Sequence, residues 1–156
     1  MTESLRFVAE RTDATITAAR SELVRAVRRA YASGMTQAQI AEQIHRSQPE
    51  VNRLLRFHGT SPRATALRTH AAEVRRRLRD VGGSRIRVFG STATGTEHAN
   101  SDVDLLFDMR RPLSLMELST VERQLTELIG FRVDLVPESS VRPDVRDRIV
   151  AEAVPL

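Results

Sequence analysis

The chain has no cysteine among its 156 residues, which excludes disulfides and zinc–thiolate sites and agrees with a reducing compartment. It has no lysine either. All 24 basic side chains are arginine, which we read as codon usage rather than chemistry. No stretch is apolar enough to cross a membrane. The opening residues, MTESLRFVAERTD, are charged throughout and lack the apolar run of a secretory signal. A cytoplasmic protein without membrane contact is expected. His45, His58, His70 and His98 show no metal-ligand spacing, and we read them as structural or surface residues. Ser91 has no base near it in sequence, so a nucleophilic serine is unsupported.

What is present is an uneven charge. Residues 1–83 hold 15 arginines against 8 acids (+7), and residues 84–156 hold 9 against 12 (−3), which sum to the net +4. A basic front half suits a polyanionic partner. Asp13 to Ala32 has helical periodicity, with Ile16, Ala19, Leu23, Val27, Ala30 and Tyr31 on one face. Arg20, Arg25, Arg28 and Arg29 fall on the other. A turn of helix near Leu5–Ala9 is weakly signalled. Thr36 begins a short helix bearing Ile40, Ala41 and Ile44. After a turn at His45-Arg46, Ser47 and Glu50 have the spacing of a capping box, with Pro49 in the first turn of a helix running to Phe57.

Two short helices joined by a tight turn resemble a helix-turn-helix. By that resemblance Ser47, Gln48, Asn52 and Arg53 would face the major groove of operator DNA, with Arg46 and Arg56 near phosphates. Thr60-Ser61-Pro62 is the expected linker between a domain of residues 1–60 and a second of residues 61–156. The second would open with one helix from Ala64 to Val81, stopped by Gly82-Gly83.

Ser84–Phe89 alternates arginine with β-branched residues, and Asp102–Phe107 is a second, more apolar strand signal. Residues two apart on a strand share a face, so Asp102 and Asp104 present their carboxylates together. Adjacent carboxylates repel, and one keeps its proton unless a cation intervenes. Mg²⁺ suits such a pair and completes its shell with phosphate and water oxygens. Gly90-Ser91 supplies a close backbone approach and a hydroxyl for phosphate. Asp134, in the strand-like run Arg132–Val136, completes a triad if that run pairs beside Asp102–Phe107. Ser114 and Glu117 cap a helix with Leu118, Val121, Leu125, Leu128 and Ile129 inward, and a last helix spans about Asp144–Ala151. The resulting fold class is α/β: an all-α helix-turn-helix unit followed by a small mixed sheet of three strands with helices.

Gly-Ser, a spacer and Asp-hydrophobic-Asp on a strand resemble the nucleotidyltransferase superfamily of the DNA polymerase β kind. The short length, with Val133–Val136 and the ending Arg148–Leu156, resembles its minimal nucleotidyltransferase branch, the antitoxin half of type VII-like HEPN–MNT toxin–antitoxin pairs. The resemblance covers the second half of the chain. It implies transfer of a nucleoside monophosphate, AMP from ATP, to a tyrosine of a cognate HEPN toxin. Asp102, Asp104 and Asp134 would hold Mg²⁺, Asp134 would accept the hydroxyl proton, and Gly90 and Ser91 would hold the β,γ-phosphates. It further implies a hetero-oligomer with the toxin, or a homodimer alone; the helix-turn-helix would add DNA-binding autoregulation of the chain's own operon. One departure stands out: relatives often carry a basic residue after the Gly-Ser, where this chain has Thr92–Thr96. A catalytically idle antitoxin or regulator, and an enzyme acting on tRNA or a small molecule, are the alternatives.

Overall fold

The computed structural model describes residues 4–57, 59–95 and 97–156; His58, Thr96 and the first three residues of the opening segment lie outside them. Helix α1 (Leu5–Ala32) has 28 residues and is about 42 Å long. It starts earlier than the expected Asp13 because nothing before that residue breaks a helix. Its apolar stripe is only partly used. Val27 is buried and Leu23 packs beside it, whereas Ile16, Ala19 and Tyr31 are exposed. The first half of α1 therefore lies outside the core.

Helix α2 (Gln37–Ile44) is capped reciprocally by Thr36 and Gln39. His45, in the left-handed region at φ 53°, reverses the chain. Helix α3 (Gln48–Leu54) then starts from the Ser47–Glu50 capping box with Pro49 in its first turn, and stops short of the expected Phe57. Val27, Ile40, Ala41 and Val51 form the core of this helical unit.

Ser61 lies in the stretch expected to link the two units. It accepts the Ala64 N–H as N-cap of α4, which spans Pro62–Thr69. Helix α5 (Ala71–Asp80) follows, so the single helix expected over Ala64–Val81 is two, broken at His70 (φ −101°, ψ 10°). Neither glycine nor proline marks that break.

The sheet contains β1 (Gly83–Phe89), β2 (Val103–Met109), β3 (Val133–Pro137) and β4 (Val154–Pro155), in the order β3-β2-β1-β4. β2 and β3 are parallel and the other pairs antiparallel. The expected three strands are four because β4, two residues long, carries no readable period. It pairs Val154 with Val88 and Pro155 with Arg87 at the sheet's edge, where a proline is tolerated. Helix α6 (Gly90–Thr94) follows β1, and α7 (Leu115–Ile129) follows β2. A 3-10 turn, Glu138–Ser140, and α8 (Pro143–Glu152) lead into β4.

Val103, Leu105 and Phe107 of β2 pack with Leu67, Val74 and Leu78 of α4–α5 and with Val121, Leu125 and Ile129 of α7. Arg85 sits at φ 49° beside a shift of the β1–β2 register, a bulge that breaks the simple alternation read from sequence. Arg87 is consequently buried at 8% exposure. It donates to Asp108 (2.9 Å) and Glu138 (2.6 Å), and Arg146 adds a second bond to Glu138 (2.8 Å).

Candidate active site

The site is set by strand register. Phe89 ends β1 opposite Asp104, and Asp104 is the parallel partner of Asp134. Register partners on adjacent strands point to the same face. Asp102 immediately precedes β2 and shares that face, opposite the buried Val103 and Leu105. Gly90 turns the chain at φ +69°, and a Cβ added there would collide with the Asp104 carboxylate. Only glycine allows the backbone of the Gly90-Ser91 turn to lie so close to the acid. Burial pushes the Asp104 carboxyl up to about 6, with Asp134 and then Asp102 adding repulsion. Asp104 therefore feels both of the other acids expected from sequence.

Several residues that the sequence reading missed hold this arrangement. β3 is an edge strand, yet its outward N–H groups are taken by α7: Thr126 Oγ1 accepts from Val133 (3.1 Å) and Glu122 Oε1 from Leu135 (2.9 Å), on either side of Asp134. Their four-residue spacing on α7 was visible, but their partners were not. Arg63 donates to the carbonyls of Ala99 (2.6 Å) and Ser101 (2.8 Å) in the loop entering β2, and its guanidinium lies over the Phe131 ring at 4.8 Å. Arg132 approaches Asp102 at 3.7 Å and brings a cation to the edge of the acids. In the turn after Ser91, Thr92 donates to Glu97 Oε2 (3.1 Å) and Thr94 to the Gly90 carbonyl (3.1 Å). Glu97 Oε1 is buried without a hydrogen-bond partner among the described residues.

A divalent cation fits the donor set. Carboxylate oxygens are hard ligands, the Gly90 backbone lies against Asp104, and the destabilised Asp104 anion is what a cation would relieve. Among the described residues no group of three acidic, histidine or cysteine side chains is placed to hold a metal ion as it stands. The register brings together Asp104 and Asp134, and Mg²⁺ is commonly held by one or two carboxylates with phosphate and water completing its shell.

A family model described as "Nucleotidyltransferase domain" matches residues 67–156, more than half of the chain. The chain belongs to the nucleotidyltransferase domain family. The match starts within α4, so α1 to α3 lie outside it. Protein adenylyltransferase MntA of Thermococcus cleftensis is 38% identical to this nucleotidyltransferase over 88 residues, 56% of this chain and 86% of its own. A solved structure described as a minimal nucleotidyltransferase superposes with a TM-score of 0.54 at 35% identity, covering 59% of this chain and 94% of that one. A toxin–antitoxin crystal structure with AMP-PNP reaches a TM-score of 0.49 at 26% identity, over 54% and 69% of the two chains.

The residues expected at DNA sit on α3 and its flanks. Arg46, Ser47, Gln48, Arg53 and Arg56 are exposed and Asn52 is half-buried. The Ser47 hydroxyl is engaged in its capping box, donating to Glu50 at 2.8 Å, and Arg46 lies 3.9 Å from Glu50. Among the described residues no helix is long and apolar enough to cross a membrane.

Proposed function

We propose that this nucleotidyltransferase moves AMP from ATP onto a tyrosine hydroxyl of a cognate HEPN toxin and silences it, acting as the antitoxin in the cytoplasm. The observation that supports this most is the register placing Asp104 between the Gly90 turn and Asp134. Asp102, Asp104 and Asp134 would hold Mg²⁺, which when bound neutralises triphosphate charge and stabilises the departing pyrophosphate. The N–H groups and hydroxyl of the Gly90-Ser91 turn bind the β,γ-phosphates. Asp134, exposed on the edge strand, takes the proton of the acceptor hydroxyl as its oxygen bonds to the α-phosphorus. The bond from that phosphorus to pyrophosphate breaks. The 38% identical relative named a protein adenylyltransferase supports a protein acceptor. The test supplies labelled ATP, Mg²⁺ and the product of the neighbouring gene. Label is expected on that partner with the wild-type chain and absent with Asp104→Asn; label that persists in the variant sinks the reading.

A binding-only antitoxin is the second reading, favoured by a turn after Ser91 with no arginine before Asp102. Protection of cells that survives Asp104→Asn, with no label on the partner, would select it. For the helical unit we infer operator binding through Gln48, Asn52 and Arg53, with Arg46 and Arg56 at phosphates. A mobility shift on the upstream promoter should weaken with Arg53→Ala and fall steeply with salt. Binding that ignores both would reduce α2–α3 to a packing hairpin.

A further inference from the structure

Arg28 was expected on the solvated face of α1, and it is 5% exposed. Its guanidinium donates to four main-chain oxygens. Nε donates to Leu54 O (3.1 Å), Nη2 to Arg56 O (3.4 Å), and Nη1 to Ala93 O (2.8 Å) and Glu152 O (3.4 Å). Burial pushes its pKa down to about 10, partly offset by Glu152. Burying a guanidinium against carbonyls is costly. A hydrocarbon side chain would fill the space without that cost, so the location of the carbonyls matters.

Ala93 belongs to α6, the five-residue helix that begins at Gly90 and Ser91. A helix this short has little internal hydrogen bonding to fix its axis, and its last carbonyls need outside donors. Thr94 takes the Gly90 carbonyl and the Gly95 N–H takes that of Ser91. Arg28 takes Ala93 O at the shortest of its four contacts. It pulls on the C-terminal end of α6 while the N-terminal end faces Asp104. The same guanidinium also ties down the end of α3 through Leu54 and Arg56.

We propose that Arg28, supplied by the helical unit outside the matched family segment, is a positioning residue that aims the Gly90-Ser91 turn at the nucleotide phosphates. The proposal rests on the nucleotide reading of that turn. Arg28 touches no substrate and acts through α6.

The test uses the full chain with ATP and Mg²⁺, measuring the dissociation constant by calorimetry and amide exchange across residues 91–95. Arg28→Gln is expected to weaken ATP binding roughly 10-fold, a modest share of what a misplaced site residue can cost, and to speed exchange in α6. Arg28→Lys, which keeps the charge with a single nitrogen, should restore part of both. Val27→Ala is the matched control: Val27 is 2% exposed in the adjoining core, so the variant loosens the same unit without touching α6. Where transfer is measured, KM for ATP should rise more than kcat falls. Arg28→Gln with wild-type ATP affinity and α6 exchange, or Val27→Ala with the same losses as Arg28→Gln, overturns the proposal and leaves the nucleotidyltransferase reading standing. A wild-type chain that takes up no ATP removes that reading and the proposal with it. Should Arg28→Gln fail to fold, the Arg28→Lys and Val27→Ala pair decides alone: equal ATP affinity in the two refutes a positioning role.

Discussion

Asp104 carries the largest conflict between stability and chemistry at the residue scale. Its carboxyl is raised from 3.8 to about 6 by burial, then by Asp134 and Asp102. The folded state thus prefers the neutral acid. The cost is absent below pH 3.8, where both states are protonated, and is complete above about pH 6. The displacement corresponds to at most about 3 kcal/mol at pH 7, and partial exposure of the side chain reduces this to about 1–2 kcal/mol. Asp104→Asn removes the charge and keeps the shape. In EDTA at pH 7.5 the variant is expected to melt roughly 3–6 °C above wild type, with the difference vanishing near pH 4, while transfer activity is lost. A melting temperature equal to or below wild type would show that the three acids do not strain one another.

Elements show how far sequence alone reaches. Capping boxes at Ser47 and Ser114, the stop at Gly130 and the paired aspartates were legible because each is encoded within a few residues. What was not legible depends on distant partners. Arg28 reads as a surface charge until carbonyls 26, 65 and 124 residues away close around it, and nothing near Arg87 in the chain announces its partners Asp108 and Glu138. β4 is too short for a period, and the break at His70 has no breaker residue. The protected edge of β3 belongs to the same class. Val133 is 3% exposed, so Thr126→Val, nearly isosteric, strands a buried N–H at a cost of about 1–2 kcal/mol. Urea unfolding should register that loss, and amide exchange at Val133 should accelerate well beyond that at Leu105 in the strand interior. Unchanged exchange at Val133 would mean that water, not α7, satisfies the edge.

On the scale of the whole molecule, the sheet and the last helix are joined by ionic contacts as well as apolar ones. Glu138 lies in the 3-10 turn after β3 and receives Arg146 from α8 and Arg87 from β1. Its carboxyl is held down to about 2, first by Arg146 and then by Arg87. The sign is opposite to that of Asp104. The stabilisation is fully present above pH 4.5, where the unfolded carboxylate is already ionised, and is lost as pH falls through about 2. Its size is of order 2 kcal/mol, since the side chain is mostly enclosed while Arg146 remains half-exposed. Glu138→Gln should therefore lower stability by about that amount at pH 7 and by little at pH 2.5, flattening the acid limb of the wild-type stability curve. Salt should shrink the gap only modestly, because the Arg87 side chain is 9% exposed and buried pairs are weakly screened. A gap that disappears in 0.5 M NaCl would assign the stabilisation to the exposed Arg146 contact. A gap that survives both salt and Arg146→Ala would assign it to the buried Arg87, which joins β1 to the turn that follows the Asp134 strand.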